Sequence, residues 1–96
     1  MNGGLKIDYA AGCVYVDAKE IHLTPIEYKI LVLLIANRGK VLTHNYILKE
    51  IWGYGEGVEA GTLRVFMATL RRKIEKNPAE PRFIVTEVGV GYRFKE

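Results

Sequence analysis

The first quarter of the chain alternates hydrophobic and polar residues with the period of a β-strand. Leu5, Ile7 and Tyr9 alternate with Lys6 and Asp8, as in a strand that is buried on one face. Two further runs of β-prone residues follow, and short turns separate the three. The pattern therefore predicts a small antiparallel sheet, with strands at residues 5–9, 14–16 and 20–23 and turns at 11–12 and 17–19.

Helical periodicity begins next, and the first helix has a clear start signal. Thr24 fits the N-cap and Pro25 the first helical position, while Glu27 stands where its carboxylate can reach back to the Thr24 amide. Residues 28–36 are apolar on most sides, which predicts a helix buried between two neighbours. We expect this helix to end at residues 37–39, where a glycine closes the segment.

A second, shorter helix is predicted after Val41-Leu42. Thr43 fits its N-cap, and Gly53 is expected to end it. Apolar residues recur at helical spacing between these two positions, so one side of the helix should face the core. That side consists of Ile47, Leu48 and Ile51, with Trp52 beside them as a further core residue.

The remaining segments predict a loop, a third helix and a hairpin. Residues 53–61 contain four glycines and two acids, which indicates a loop longer than the turn of about 3–4 residues in a simple helix-turn-helix. Residues 62–76 have helical periodicity and end before two prolines. Residues 83–94, with a turn at 89–91, are typical of a β-hairpin. At about 100° per residue, the core stripe of the third helix is Leu63, Phe66, Met67, Leu70 and Ile74.

The third predicted helix also carries the positive excess of the protein. It contains five basic residues and one acidic residue, a net charge of +4, whereas the whole 96-residue chain has a formal net charge of +3 and a pI near 9.1. A small protein that concentrates its charge on one helix is expected to present that helix to a polyanion.

The outward face of this helix mixes residue types that suit the edges of base pairs. Arginine can bond guanine in bidentate fashion, threonine can bond either base type, and alanine or valine can contact a thymine methyl group. A small residue also lets a helix approach the bases closely. The residues predicted to face bases or the groove are Arg64, Val65, Ala68, Thr69 and Arg72.

Cations at the shoulders of the same helix suit phosphates, which position a protein without reading sequence. Arg71 and Lys73 have this placement. A cationic helix face is most often simply solvated, and Lys73 and Lys76 lie where they can merely stabilise the helix dipole. Val65 and Ala68 exposed between arginines, with a hairpin following, favour instead a helix in the major groove and a β-wing against the neighbouring backbone or minor groove.

Other chemistry finds little support in the sequence. His22 and His44 stand alone without metal-ligand spacing, and Cys13 suits a small core residue better than a nucleophile. Gly89-Val90-Gly91 joins two predicted strands, so it does not fit a phosphate-binding loop that opens a helix. The longest apolar run, residues 30–36, is far shorter than the roughly 20 residues that cross a bilayer, and no signal peptide opens the chain. We therefore predict no catalytic site, metal or cofactor, and a cytoplasmic protein.

Five segments in order resemble the DNA-binding effector domains of the OmpR/PhoB family of bacterial response regulators. The resemblance covers nearly the whole chain and implies an α+β winged helix-turn-helix fold, with an N-terminal antiparallel sheet, three helices and a C-terminal β-hairpin wing. Residues 62–67 and 77–82 are most similar to the KdpE-like branch. The matching segments are Leu23-Thr24-Pro25-Ile26-Glu27-Tyr28, Gly39-Lys40-Val41-Leu42-Thr43, Ile51-Trp52-Gly53, Leu70-Arg71-Arg72-Lys73-Ile74 and Gly89-Val90-Gly91-Tyr92-Arg93-Phe94.

The resemblance implies further properties. The N-terminal sheet would have a fourth short strand pairing, and the third helix would be the recognition helix. Residues 1–96 would form one effector domain, separated from the receiver domain that family members carry. It would regulate transcription in a two-component system, binding direct repeats of duplex DNA as a head-to-tail dimer and remaining a monomer when isolated. The glycine-rich loop would contact RNA polymerase through Tyr54, Glu56 and Glu59.

The wing departs from the family in one place. Many relatives have an arginine just before the wing-tip glycine, where it can enter the minor groove, and this chain has Val88 there. Minor-groove readout by the wing tip is therefore not implied. Thr86 and Arg93 remain as candidate phosphate contacts. For Arg93 a structural role on the strand beside the inward-facing Tyr92 and Phe94 is an equal alternative.

Two other functions are compatible with a winged helix. The fold can bind protein partners through the same surface, so a protein-interaction module is the alternative to DNA binding, and retention of duplex DNA at low salt distinguishes them. RNA binding is disfavoured, because side chains do not readily enter the major groove of A-form RNA and the hairpin lacks a paired aromatic platform.

Overall fold

The computed structural model describes residues 4–53 and 60–95. Over these residues two small antiparallel sheets flank three helices, in the predicted order. No helix in the described part of the chain is long and apolar enough to span a membrane. The elements are β1 (Leu5–Asp8), β2 (Cys13–Val16), β3 (Lys19–Ile21), α1 (Pro25–Ala36), β4 (Val41–Thr43), α2 (His44–Trp52), α3 (Ala60–Ile74), β5 (Ile84–Glu87) and β6 (Gly91–Phe94).

The N-terminal sheet has the strand order β1-β2-β3, which confirms three strands, although β2 begins one residue earlier than predicted and β3 spans Lys19–Ile21 instead of residues 20–23. Asp17 and Ala18 both have positive φ angles, 51° and 69°, and form the tight turn between β2 and β3, a backbone shape that matches strand twist. The prediction that Tyr9 lies in a strand is wrong, because β1 ends at Asp8 and Tyr9 is exposed in the following turn. The implied fourth strand pairing is absent from the described residues of this sheet.

Helix α1 begins with the predicted capping box. The Thr24 amide donates to Glu27 Oε1 at 2.9 Å, and the Glu27 amide donates to Thr24 Oγ1 at 3.3 Å. The helix contacts α2, α3 and β6. Because neighbours pack against it on several sides, it has no continuous polar face. Four of its apolar side chains are buried, namely Ile30, Leu31, Leu34 and Ile35.

Helix α2 is capped by the Thr43 hydroxyl, which accepts from the Tyr46 amide at 3.1 Å. Ile47 is fully buried and Leu48 and Ile51 are partly buried, which confirms the predicted core side. The ring of Trp52, also partly buried, lies 5.5 Å from that of Phe66 on α3. This aromatic contact ties the two helices together.

Helix α3 is shifted by two residues from its predicted span of 62–76. It begins at Ala60, so Ala60 and Gly61 belong to the helix and not to the predicted loop, and the rest of that loop lies outside the described residues except for Gly53. It ends at Ile74, and the side chain of Glu75, the next residue, accepts from the amides of residues 82–84. The predicted core stripe is confirmed, with Leu63, Met67, Leu70 and Ile74 buried and Phe66 partly buried.

The C-terminal hairpin belongs to a three-stranded sheet with the order β4-β6-β5. Val41 pairs with Arg93 and Thr43 with Gly91, so β6 is the central strand and the prediction of an isolated hairpin is incomplete. The predicted turn at 89–91 is one residue too late, because Gly91 already belongs to β6. β4 thus joins the start of α2 directly to the wing.

Candidate nucleic-acid interface

The outward face of α3 is exposed as its helical period predicts. Arg64, Ala68 and Arg72 are exposed, and Val65 has 66% of its surface accessible although it is a large apolar residue. Thr69 is half-buried, and its hydroxyl donates to the Val65 carbonyl at 3.0 Å. The helix therefore presents a mixed surface of guanidinium, methyl and hydroxyl groups.

Arg72 is held loosely within this surface. Its Nη2 donates to Thr69 Oγ1 at 3.3 Å, which leaves the remaining donors of the guanidinium fork directed at solvent or a ligand. A weak internal bond of this kind orients an arginine without occupying it. Base contact by these residues remains a prediction.

Arg71 lies in a different environment from the one expected for a free phosphate ligand. It is half-buried, its Nη2 donates to Thr86 Oγ1 at 2.5 Å, and its guanidinium carbon lies 5.3 Å from the centroid of the Tyr92 ring. Its Nε is buried without a hydrogen-bond partner among the described residues. Burial lowers the pKa of the guanidinium, which Tyr92 and Glu75 partly offset. The two candidate phosphate residues Arg71 and Thr86 thus join α3 to the wing.

Lys73 also has a protein partner. Its Nζ lies 2.6 Å from Oε1 of Glu27, the carboxylate of the α1 capping box, and the Lys73 side chain is 33% exposed while that of Glu27 is only 2% exposed. Burial by itself raises the pKa of Glu27, but the bonds from Lys73 and Thr24 outweigh it and lower the pKa below 4.5. Lys73 therefore links α3 to the start of α1.

Arg93 pairs within the wing. Its Nε donates to Glu87 Oε2 at 3.0 Å, and both side chains are about one-third exposed. Tyr92 and Phe94 on either side are buried, as the structural interpretation of Arg93 expects. Its contact with phosphate stays a prediction.

The wing turn is apolar and open. Val88 is 90% exposed and Val90 is 53% exposed, and Gly89 between them has φ of 75°. The tip therefore presents two apolar side chains to solvent and carries no charge of its own.

A groove that the sequence does not reveal lies between the wing turn, the start of α2 and the start of α3. His44 is half-buried and its ring stacks on Tyr92 at 5.3 Å between centroids. The first amides of α2 have no partner within the helix, and the positive end of its dipole favours an anion. Only the N-cap at Thr43 marks this end in the sequence. The lining residues are Thr43, His44, Asn45, Arg64, Gly89 and Val90.

The remaining candidates do not add to this site. His22 is exposed, and no group of three or more potential metal ligands exists among residues 4–53 and 60–95. Cys13 is a free, half-buried cysteine on β2. The proposed polymerase-contact residues Tyr54, Glu56 and Glu59 lie outside the described residues.

Known proteins with similar sequences are transcriptional regulatory proteins. Residues 18–94 match the family model described as "Transcriptional regulatory protein, C terminal". The chain is 44% identical over 90 residues to the KDP operon transcriptional regulatory protein KdpE of Escherichia coli K12, covering 94% of this chain and 40% of that protein. It is 45% identical over 89 residues to KdpE of Mycobacterium tuberculosis, covering 93% and 39%. The chain spans about two-fifths of the length of these curated relatives.

Solved structures agree with the sequence relatives. The response regulator DrrB of Thermotoga maritima, an OmpR/PhoB homolog, superposes with a TM-score of 0.90 at 37% identity, over 98% of this chain and 42% of that one. The DNA-binding domain of Klebsiella pneumoniae RstA, in complex with the RstA box, superposes with a TM-score of 0.88 at 26% identity, over 99% and 94%. Both likenesses extend across the sheets, the helices and the wing.

Proposed function

Because this chain belongs to the OmpR/PhoB-type family of C-terminal transcriptional regulatory domains, we propose that it binds duplex DNA in a sequence-specific manner and regulates transcription. In this proposal residues 1–96 are the output domain of a two-component response regulator. The observation that carries it is the outward face of α3, where exposed arginines stand beside exposed apolar side chains and the half-buried hydroxyl of Thr69.

Helix α3 is the recognition helix of the proposed complex and enters the major groove. Val65 is exposed and lies outside the hydrophobic core formed by the described residues, and Ala68 one turn later leaves room for base pairs to approach. An exposed arginine beside each supplies the bidentate donors that read guanine. The residues proposed to face bases or the groove are Arg64, Val65, Ala68, Thr69 and Arg72.

The start of α2 and the wing turn hold the flanking backbone in this proposal. The groove bordered by His44, Asn45 and Arg64 combines helix amides with a guanidinium, a pairing that suits a phosphate. The wing turn on its other side meets the neighbouring backbone or minor groove through Val88 and Val90. The duplex would thus contact three elements that converge on one side of the domain.

A structural role is proposed for the four candidate phosphate residues, which are Arg71, Lys73, Thr86 and Arg93. Arg71 and Thr86 bond to each other, Lys73 bonds to Glu27, and Arg93 bonds to Glu87. These contacts hold α3 and the wing in place. We therefore assign them mainly to shaping the interface, with phosphate contact as a contribution of their exposed parts.

The partners of a longer protein follow the same proposal. Relatives more than twice as long as this chain are called response regulators or transcriptional regulators, so we propose that a receiver domain on the same polypeptide controls this one. We further propose a head-to-tail dimer on direct repeats, a monomer when the domain is isolated, and contact with RNA polymerase through residues 54–59. A cytoplasmic location fits each of these partners.

Selection from a random duplex library tests the proposal. The domain should retain duplexes at low salt, and the selected sites should share a half-site that recurs as a direct repeat. Failure to retain any duplex at low salt would refute DNA binding and favour the protein-interaction module. Selected sites without a shared motif would refute sequence-specific readout.

Replacing Arg72 by alanine should weaken binding to the selected site and relax its sequence preference. One bidentate base contact contributes about 1–3 kcal/mol of discrimination, so we expect a loss of roughly 5- to 150-fold for the selected site and a smaller loss for unrelated duplexes. Gel-shift titrations on both duplexes at one salt concentration measure the difference.

The matched control for Arg72→Ala is Lys29→Ala. It removes one exposed positive charge from α1, where Lys29 lines a groove with Val32 and Glu50. We expect it to change both affinities little. Equal losses on both duplexes for Arg72→Ala would show that Arg72 contacts only the backbone.

A further inference from the structure

Glu75 is the acidic residue of the positively charged segment, and it is not on the surface. Its side chain is only 5% exposed, immediately after the last residue of α3. Its two carboxylate oxygens accept from three successive backbone amides. Oε1 accepts from Arg82 at 2.7 Å and from Phe83 at 3.3 Å, and Oε2 accepts from Phe83 at 3.0 Å and from Ile84 at 2.9 Å.

This position is unfavourable for a carboxylate on general grounds. The carbonyl end of a helix dipole repels negative charge, and a buried charge is costly unless it is fully hydrogen-bonded. Four bonds from three amides meet that requirement, and bonds to an ionised acceptor are stronger than neutral ones. The carboxylate therefore holds residues 82–84 firmly against the end of α3.

Those three amides are the root of the wing. Ile84 is the first residue of β5, and the Phe83 carbonyl accepts from the Lys95 amide at 2.8 Å, just beyond β6. The Phe83 and Phe94 rings stack at 6.1 Å between centroids. A single carboxylate just after the helix therefore anchors the start of β5 directly, and the end of β6 through Phe83, at the end of the hairpin opposite its tip.

We propose that Glu75 is a positioning residue for DNA binding, which fixes the wing relative to the recognition helix so that both reach the duplex as one rigid unit. The inference rests on the proposed function. The Arg71–Thr86 bond links the same two elements nearer the tip, but it is exposed. The buried anchor at Glu75 is the stronger of the two links.

A double-mutant cycle separates this role from general stability. Val88→Asp places a negative charge on the exposed wing tip, with Val88→Asn as its neutral isosteric control. In the unmodified domain we expect Val88→Asp to weaken duplex binding about five- to tenfold relative to Val88→Asn, because the fixed tip is held near phosphates. In the Glu75→Gln background the freed wing can move away, and the penalty should fall below about twofold.

Each outcome of the cycle decides the inference. A smaller Val88→Asp penalty in the Glu75→Gln background supports the positioning role. Equal penalties in both backgrounds, or no penalty in the unmodified domain, overturn it while leaving DNA binding by α3 intact. Absence of duplex binding by the unmodified domain removes the proposed function and the inference with it.

The choice of glutamine follows from the hydrogen bonds. Its NH₂ group cannot accept from a backbone amide, so glutamine loses the bonds made at one of the two carboxylate oxygens and the negative charge, and weakens the anchor with little change in volume. If Glu75→Gln does not fold, as judged by circular dichroism, Glu75→Asp takes its place in the cycle. Aspartate keeps the charge but is one methylene shorter, and we expect a partial reduction of the Val88→Asp penalty.

Discussion

Replacing Gly91 by alanine should lower the free energy of unfolding by about 3 kcal/mol or more, because overpacking against rigid groups is strongly destabilising. A Cβ atom at this position would lie 1.9 Å from the Leu42 carbonyl oxygen, 2.7 Å from its carbon and 2.9 Å from Thr43 Cα. All three are backbone atoms of β4, so no side chain can move aside. Chemical denaturation followed by circular dichroism measures the loss.

Gly61→Ala is the matched control for Gly91→Ala. The same methyl group is added in the first turn of α3, where no atom of residues 4–53 or 60–95 outside the helix's own backbone lies within 4 Å of the new Cβ. Alanine is the better helix former by about 0.5–1 kcal/mol, so the two substitutions should shift stability in opposite directions. A Gly91→Ala domain as stable as the parent would mean that β4 and β6 do not approach as closely as described.

The loss in Gly91→Ala should extend to DNA binding. Thr43, whose Cα would be contacted, caps α2 and lines the groove beside His44. Separating β4 from β6 therefore displaces the start of α2 as well as the wing. Duplex affinity should fall even at temperatures where the variant remains folded.

Replacing Lys73 by methionine should destabilise the domain by about 2–3 kcal/mol. Removing one partner of a buried ion pair costs about 3–5 kcal/mol, and we expect less here because one-third of the Lys73 side chain is exposed and water screens the pair. Methionine keeps most of the apolar stem, so the loss of stability measures the cost of leaving the buried Glu27 carboxylate without its cationic partner. Thermal and urea unfolding at pH 7 provide the measurement.

The Lys73→Met deficit should depend on pH. The folded pKa of Glu27 lies below its ordinary 4.5, so its ionised form contributes stability that is present above about pH 4.5 and is lost as pH falls through the folded value. Without Lys73, burial raises the pKa and the buried group protonates more readily. The difference between variant and parent should therefore be largest near neutrality and shrink in acid.

Lys76→Met is the control for the lost charge. Lys76 is exposed just beyond the end of α3, and surface changes of this kind usually stay within about 0.5 kcal/mol. A Lys73→Met domain as stable as Lys76→Met would contradict the importance of the Glu27 pair. In DNA binding, Lys73→Met should leave the salt slope nearly unchanged, whereas a decrease of about 0.9 would show direct phosphate contact.

Local signals in the sequence predicted much of the fold. The Thr24 and Glu27 capping box and the core stripe of α3 depend on residues three or four apart, and both are present as expected. The strand β4 was not predicted, because three residues at positions 41–43 become a strand only by pairing with β6, about 50 residues later. Short strands are defined by distant partners, which periodicity does not show.

The same limit applies to the site. The sequence shows that Arg71 and Lys73 are cations on a helix, but not that their partners are Thr86 and Glu27, the second of which is 46 residues away. It shows Glu75 only as a negative charge. Its partners are three backbone amides, and every residue except proline has such an amide, so the sequence does not mark them. The exposed face of α3 was predictable since exposure there follows from helix geometry alone.

The contact between Trp52 and Phe66 gives the domain an intrinsic optical probe. Trp52 is the single tryptophan of the chain and lies where α2 meets α3, with its ring 5.5 Å from Phe66. Its fluorescence therefore reports how α2, which begins beside the wing, packs against α3, the helix proposed to read the duplex. Shifts of these two helices relative to each other can be followed in the unlabelled protein.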